Sequence, residues 1–427
     1  VADTQTEAVG RGRPGPAGGV GGPGSDMVVD TPTRETPPVR THTGAFATRA
    51  ARRRYLVVVV GLAVAAVAAS FGLLAWANPM PVGSRGFWKI AQRRLASLVV
   101  IAVVAFSQAL ATVAFQTITN NRIITPSIMG FESLYRAVQT SAVYFLGVAG
   151  VVALQGVPQF LIQVAVMVAL AVALYGTLLS GRHANLQVML LIGIVIGAGL
   201  GSVATFMQRM LSPSEFDVLS ARMFGNISNA EASYLPVAVP LCLAAGLGLW
   251  VRSQRLNVMA LGASAATGLG LNHRRETMLG LTLVSVLIAV STALVGPMTF
   301  FGFLVATLTY SLAGTHDHRR IFPVAVLTGF VVLAGAYFVM RYVFYAQGMV
   351  SVIIELVGGT TFLIVLLRKG WCHSVEATLP VGGGLIGGVC GWRGWGCRSV
   401  TGRRSRRPRK RAGRCGGSPV TWGVARR

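Results

Sequence analysis

Between Tyr55 and Leu367 one apolar run follows another, and only seven acidic side chains interrupt them. Few solvents tolerate such a chain. A water-soluble core of this size needs charged helix faces, and these segments have none. Uninterrupted apolar runs of about 18 to 25 residues match the roughly 30 Å hydrocarbon layer when they are helical. In lipid each backbone N–H and C=O must find its partner within the segment, which favours helices. The sequence therefore predicts an all-α polytopic membrane protein.

Polar breaks divide the apolar body into about ten transmembrane segments, near residues 55–77, 95–117, 128–146, 158–179, 187–208, 234–251, 277–295, 298–313, 321–340 and 350–367. The eighth is short for a full crossing, so a tilted or partly re-entrant helix is expected there. Basic residues set the orientation. With the N-terminus inside, fourteen Lys and Arg side chains face the cytoplasm and seven face the other side, which predicts N-in and C-in. The cluster Arg85, Lys89, Arg93 and Arg94 dissents.

The formal charge of +25 is spread unevenly. Residues 1–54 hold eight basic and five acidic side chains, residues 55–369 eighteen and seven, and residues 370–427 twelve and one. The first 54 residues are rich in Gly, Pro and Thr, a composition expected to remain a disordered basic tail. The last 58 form a low-complexity Arg/Gly-rich tail with four of the five cysteines and four of the seven tryptophans. Its composition fits an out-of-frame translation of GC-rich DNA or a disordered surface segment. Cys390, Cys397 and Cys415 lack the paired short spacing of a zinc site, so no metal is expected. Nucleic acid is not an expected partner, although the block from Arg403 to Arg411 is basic enough to meet anionic lipid.

Function lies in what interrupts the spans. Thr125-Pro126-Ser127 is expected to open the third span, with Pro126 at the first helical position and Thr125 as cap. That helix carries Glu132, Arg136 and Gln139; the first two are four apart and can pair on one face. A charge at the centre of a spanning helix costs about 2.5 to 3.5 kcal/mol on insertion scales, so it should face protein or water. These residues either line a translocation path or anchor helix packing near the cytoplasmic end. Glu355 is the one charge in the body of the last span, and Gly358-Gly359 after it admits a close backbone. Gly193, Gly197, Gly199 and Gly201 form a small-residue run suited to a packing seam.

The segment Leu256–Glu276 is too short and too polar to span, yet Leu261, Leu269 and Leu271 are too apolar for an idle loop. A short helix over Met259–Thr267, broken at Gly268 and Gly270, would lie on the cytoplasmic face. It either docks a partner or rests on the protein's own surface. No GxxxxGK[ST] phosphate loop occurs, so any ATP must be bound by another subunit, and no enzyme activity or cofactor of the chain's own is expected. His273, His316 and His318 fall in expected cytoplasmic loops and read as solvated.

These residues together resemble the FecCD-type permease subunits of ABC importers for iron–siderophore complexes. The resemblance rests on RRLASLVVIAVVAFSQALATVAFQTITNNRIITPSIMGFESLY (93–135), LNVMALG (256–262) with GLGLNHRR (268–275), ALVGPMTFFGFLVATLTYSLAGTHDHRRIFPVAVLTG (293–329) and SVIIELVGG (351–359). It covers the body from about Tyr55 to Lys369. It implies a ten-helix permease in the cytoplasmic (inner) membrane with a cytoplasmic ABC ATPase dimer, a second permease subunit and an extracytoplasmic siderophore-binding protein as partners. Leu261, Gly262, Ala266, Leu269 and Gly270 then belong to the segment that receives the ATPase stroke. Arg93 and Arg94 match the basic pair that opens the second helix of such permeases, and with Arg85 they become candidates for docking the binding protein. Ala263-Ser264-Ala265-Ala266 departs from the polar stretch that many relatives carry there. The competing readings are a vitamin B12- or haem-type ABC permease, a self-powered secondary transporter and a membrane anchor with a nucleic-acid-binding tail.

Overall fold

The computed structural model describes Phe46 and residues 48–76, 83–153, 156–180, 186–225, 227, 230–344 and 350–376. The side chains of a few helical residues, Arg93 among them, lie outside that description. The described residues form thirteen α-helices: α1 (Arg49–Ala75), α2 (Arg85–Ile118), α3 (Phe131–Ala153), α4 (Val157–Ser180), α5 (Leu186–Arg209), α6 (Pro213–Met223), α7 (Leu235–Val251), α8 (Ser253–Met259), α9 (Ala263–Gly268), α10 (His273–Val295), α11 (Phe301–Ala313), α12 (His318–Tyr342) and α13 (Val350–Glu376). Eight are long and apolar enough to cross a membrane: α1 to α5, α7, α10 and α12. The apolar part of α13 and the whole of α11 are shorter, and they occupy the tenth and eighth expected spans.

Several boundaries move for local reasons. Thr48 caps α1 by accepting a hydrogen bond from Ala51 N (3.1 Å), so Arg49 and Arg52 to Arg54 are helical and not part of the expected tail. Ser84 caps α2 by accepting from Phe87 N (3.1 Å), which puts Lys89, Arg93 and Arg94 on a helix instead of in a loop. The third span opens differently from expectation. Pro126 precedes a single 3-10 turn, Ser127–Met129, Gly130 adopts a left-handed conformation (φ 104°), and α3 starts only at Phe131. Thr125 is fully buried and caps nothing; its Oγ1 has no hydrogen-bond partner. The glycine run explains the break. A Cβ on Gly197 would stand 2.8 Å from Gly130 Cα, so α5 meets the backbone just before α3 directly and bulkier residues at either position would force them apart. The expected packing seam is present at Gly193 and Gly197.

α2 is the central post. It packs against α10, α12, α7 and α11, while α1 lies along α12 and α3 packs on α5, α4 and α6. Ser107, Gln108, Thr112, Gln116 and Thr117 on α2 are buried with the apolar residues, and Gln108 Nε2 donates to Ser291 Oγ on α10 (2.9 Å). α1, by contrast, exposes Val57, Val60, Val64, Val67 and Phe71, a face fit for acyl chains. The chain divides into two compact units, residues 1–369 and 370–427. Beyond Glu376 the second unit lies outside the described residues, as do residues 1–45, so the two expected tails fall mostly there.

Candidate functional site

One end of the bundle carries α8 and α9, joined through Leu261-Gly262. The expected single helix over Met259–Thr267 is instead two helices, because Gly262 (φ 97°, ψ 164°) holds a backbone conformation closed to side-chain-bearing residues. Ala266 is the buried residue of α9. Leu261 and Leu269 flank it at 64% and 65% exposure, and Gly270 (φ 83°) turns the chain towards α10. Two large apolar side chains therefore stand open beside a short helix that rests on the body through one alanine. Behind them, Glu276 at the start of α10 is buried and ion-paired to both Arg252 and Arg255, which brackets α8 between α7 and α10. α8 is also tied to α12: Asn257 Nδ2 donates to Asp317 Oδ1 (3.0 Å), and Asn257 Oδ1 accepts from His318 N (2.9 Å).

A second polar group forms where α10 turns into α11 through Gly296-Pro297. Glu132, 7% exposed, accepts from Thr299 Oγ1 through Oε2 (2.7 Å), two residues before α11 begins. Its carboxylate thus faces the positive end of the α11 dipole. Arg136, half exposed, approaches the same oxygen at 3.8 Å, the pairing expected from the sequence. Glu355 on α13 is exposed and lies within electrostatic reach of both Arg136 and Glu132. Gly358 makes this approach possible: a Cβ there would meet Phe300 Cβ at 2.7 Å, so only glycine lets α13 lie against the start of α11. Gln139 is elsewhere. It is buried and donates through Nε2 to Gln163 Oε1 on α4 (2.9 Å), fastening α3 to α4. The structure thus brings Glu132, Arg136 and Glu355 together and leaves Gln139 in helix packing.

The basic candidates for docking separate. Arg85 is exposed at the first turn of α2. Arg94 donates through Nη1 to the carbonyls of Leu74 (3.2 Å) and Trp76 (2.7 Å), satisfying the carbonyl end of α1. The side chain of Arg93 lies outside the described residues.

The sequence profile of the FecCD transport family matches residues 55–368, the whole run from α1 into α13. The chain belongs to the FecCD transport family. It is 49% identical over 325 residues to the petrobactin import system permease protein FatC of Bacillus anthracis, covering 76% of this chain and 92% of that one. It is 36% identical over 281 residues to the petrobactin import system permease protein YclO of Bacillus subtilis, covering 65% and 89% respectively. Among solved structures, a transporter described as of the metal-chelate ABC type, in an inward-facing conformation, aligns with a TM-score of 0.63 at 21% identity, covering 74% of this chain and all of that chain. At that identity the likeness speaks for the fold. As a FecCD protein the chain is a multi-pass membrane permease.

In this FecCD permease one residue escaped the sequence reading. His318 is not solvated; it is 3% exposed, and Nε2 lies 2.7 Å from Thr117 Oγ1 while Nδ1 bonds Asn257 Oδ1. Its partners lie 201 and 61 residues away in sequence, and the run THDHRR gives no sign that one of its two histidines is packed inside.

Proposed function

We propose that this chain is the transmembrane permease subunit of an ABC importer that carries ferric siderophores into the cytoplasm, driven by ATP hydrolysis in separate subunits. Family membership makes it a transport subunit, and two relatives named for petrobactin import point to the substrate class. The observation that carries the reading on this chain is the end formed by α8 and α9. Two exposed leucines beside a glycine-set helix are an apolar patch that a cytoplasmic ATPase can cover, and the ion pairs of Glu276 hold its base firm. An exposed apolar surface of this kind marks a contact with a partner.

The remaining assignments follow from that reading. Residues 55–369, with the start of α1 before them, are the permease body, and residues 1–48 and 370–427 take no part in transport. Both termini lie inside, so α9 faces the cytoplasm and α6 the opposite side. A second permease subunit completes the pathway, and Arg136 and Glu355 lie along it, steadied by Glu132. A siderophore-binding protein docks at the α6 end, where Arg85 offers a positive charge. The body is surrounded by membrane lipid, and the chain holds no cofactor of its own.

Co-purification with the products of neighbouring genes, followed by reconstitution in lipid, tests the proposal. The expected result is a stable complex with an ATPase and a permease subunit that takes up a ferric siderophore on ATP, petrobactin being the first to try. A stable chain that recruits no ATPase and moves its substrate on an ion gradient would overturn it.

A further inference from the structure

We propose that Thr117, Asn257 and His318 form a positioning chain that passes displacement of α9 into α2 and α12. The inference rests on the importer reading and goes beyond it, because neither the exposed patch nor the ion pairs of Glu276 says how a push on α9 reaches the membrane helices. Such a push leaves through Gly270 into α10 and, on the other side, through α8, which leads to α12. The buried side chains of α8, Ser253, Leu256 and Met259, include two apolar groups whose contacts are non-directional and allow sliding. Asn257 instead holds two directional links, and both lead to the first turn of α12.

The hydrogen-bond pattern fixes the imidazole. Asn257 Nδ2 faces the Asp317 carboxylate, so Oδ1 is the acceptor turned towards His318, and it takes both the backbone N–H and the ring Nδ1–H. The proton of the neutral ring therefore sits on Nδ1, and Nε2 is left to accept from the Thr117 hydroxyl at 2.7 Å. The single proton of that hydroxyl is shared between Nε2 and the Val113 carbonyl (2.8 Å), one turn back in α2, and Tyr310 on α11 also hydrogen-bonds to Thr117. One ring thus joins α8, the last turn of α2 and the first turn of α12. Its edge contact with Phe322 (centroids 5.7 Å apart) holds its plane.

His318 is not needed as a cap, since Asp317 already accepts from Arg319 N (3.1 Å) at the start of α12. What it adds is a buried connection with both nitrogens engaged, in which losing either partner leaves a polar atom unsatisfied. α2 is 34 residues long and stands at the centre of the fold, so a shift at Thr117 is carried along its whole length.

The test uses the complete transporter in proteoliposomes, measuring ATP hydrolysis and ferric-siderophore uptake on the same preparation of wild type, Thr117→Val, Thr117→Ser and His318→Phe. Thr117→Val keeps the volume and removes the hydroxyl; Thr117→Ser keeps the hydroxyl. The expected result is continued assembly and hydrolysis, with uptake per ATP about tenfold lower in Thr117→Val and His318→Phe and near wild type in Thr117→Ser, the scale of a typical coupling free energy. If His318→Phe does not assemble, the threonine pair decides. Uptake per ATP unchanged in Thr117→Val, or equally low in Val and Ser variants, overturns the chain, as does a fall in hydrolysis and uptake that merely tracks the amount of complex. A wild-type complex without ATP-driven uptake instead removes the importer reading itself.

Discussion

A buried carboxyl group needs partners, and Glu132 Oε2 has a hydroxyl at 2.7 Å and a guanidinium at 3.8 Å beside the start of α11, while Oε1 has no hydrogen-bond partner. Of these the Thr299 hydroxyl is the tightest link and the one that joins α3 to the α10–α11 turn. Thr299→Val should lower stability by about 1 to 3 kcal/mol, the cost of leaving a buried acceptor without its donor, while Thr299→Ser should stay near wild type. Thermal unfolding in detergent reads both. Combining Thr299→Val with Glu132→Gln should cost less than the two single changes added, because residues in contact are not independent; strict additivity would show that the bond contributes nothing. The Glu132–Arg136 pair was legible in the sequence because helical periodicity fixes which residues share a face. Thr299 was not, being 167 residues away. His318 was misread for the same reason: its surroundings are assembled by α2 and α8, and no local pattern announces them.

At the scale of elements, α9 is a short helix that owes its placement to glycines at both ends. Replacing Leu261 and Leu269 together by Asp should leave the permease folded, since both side chains are open, yet weaken ATPase capture by at least about tenfold; burying even one leucine is worth about 1.5 to 3 kcal/mol. Pull-down of the ATPase by equal amounts of folded permease measures this, and undiminished capture would move the ATPase contact elsewhere. Gly262→Val should lower ATP-driven uptake without lowering expression, because a β-branched residue at φ 97° strains the link between α8 and α9 by about 1 to 3 kcal/mol; a variant with wild-type uptake would show that the link needs no fixed angle. The spans were readable because lipid imposes one simple rule on every residue of a segment. Their starts were less so. Thr125-Pro126-Ser127 has the composition of a helix start, but the close approach of Gly130 to Gly197 holds the backbone in another course, and the helix waits until Phe131. The split at Gly262 was likewise hidden, because helix-favouring residues lie on both sides of it.

For the whole molecule, orientation and extent can be settled together. The chain has five cysteines: four follow Lys369 and the fifth, Cys242, is buried on α7. A chain ended at Lys369 therefore retains one thiol, shielded from water-soluble reagents. The family profile stops at residue 368 and the apolar part of α13 at Val365, so this shortened chain should insert, assemble and transport like the full one. Loss of assembly on removing residues 370–427 would give the basic tail a part in the complex, with anionic lipid as the first partner to examine. On the shortened background, Ser264→Cys in α9 should react with an impermeant maleimide in inside-out vesicles alone, and Ser214→Cys in α6 in right-side-out cells alone. The excess of Lys and Arg around α8 and the start of α10, with Arg252, Arg255, Arg274 and Arg275, predicts that outcome. The reverse pattern would place α9 outside, out of reach of any ATPase, and the importer reading would fall with it. Labelling of both sites from one side would break the odd number of crossings between α6 and α9 on which the topology rests. The positive-inside bias is a statistical pull on insertion, whereas the ion pairs of Glu276 with Arg252 and Arg255 tie the same arginines into the fold, so at this end the charges from which the proposed orientation is argued also build the platform on which α9 stands.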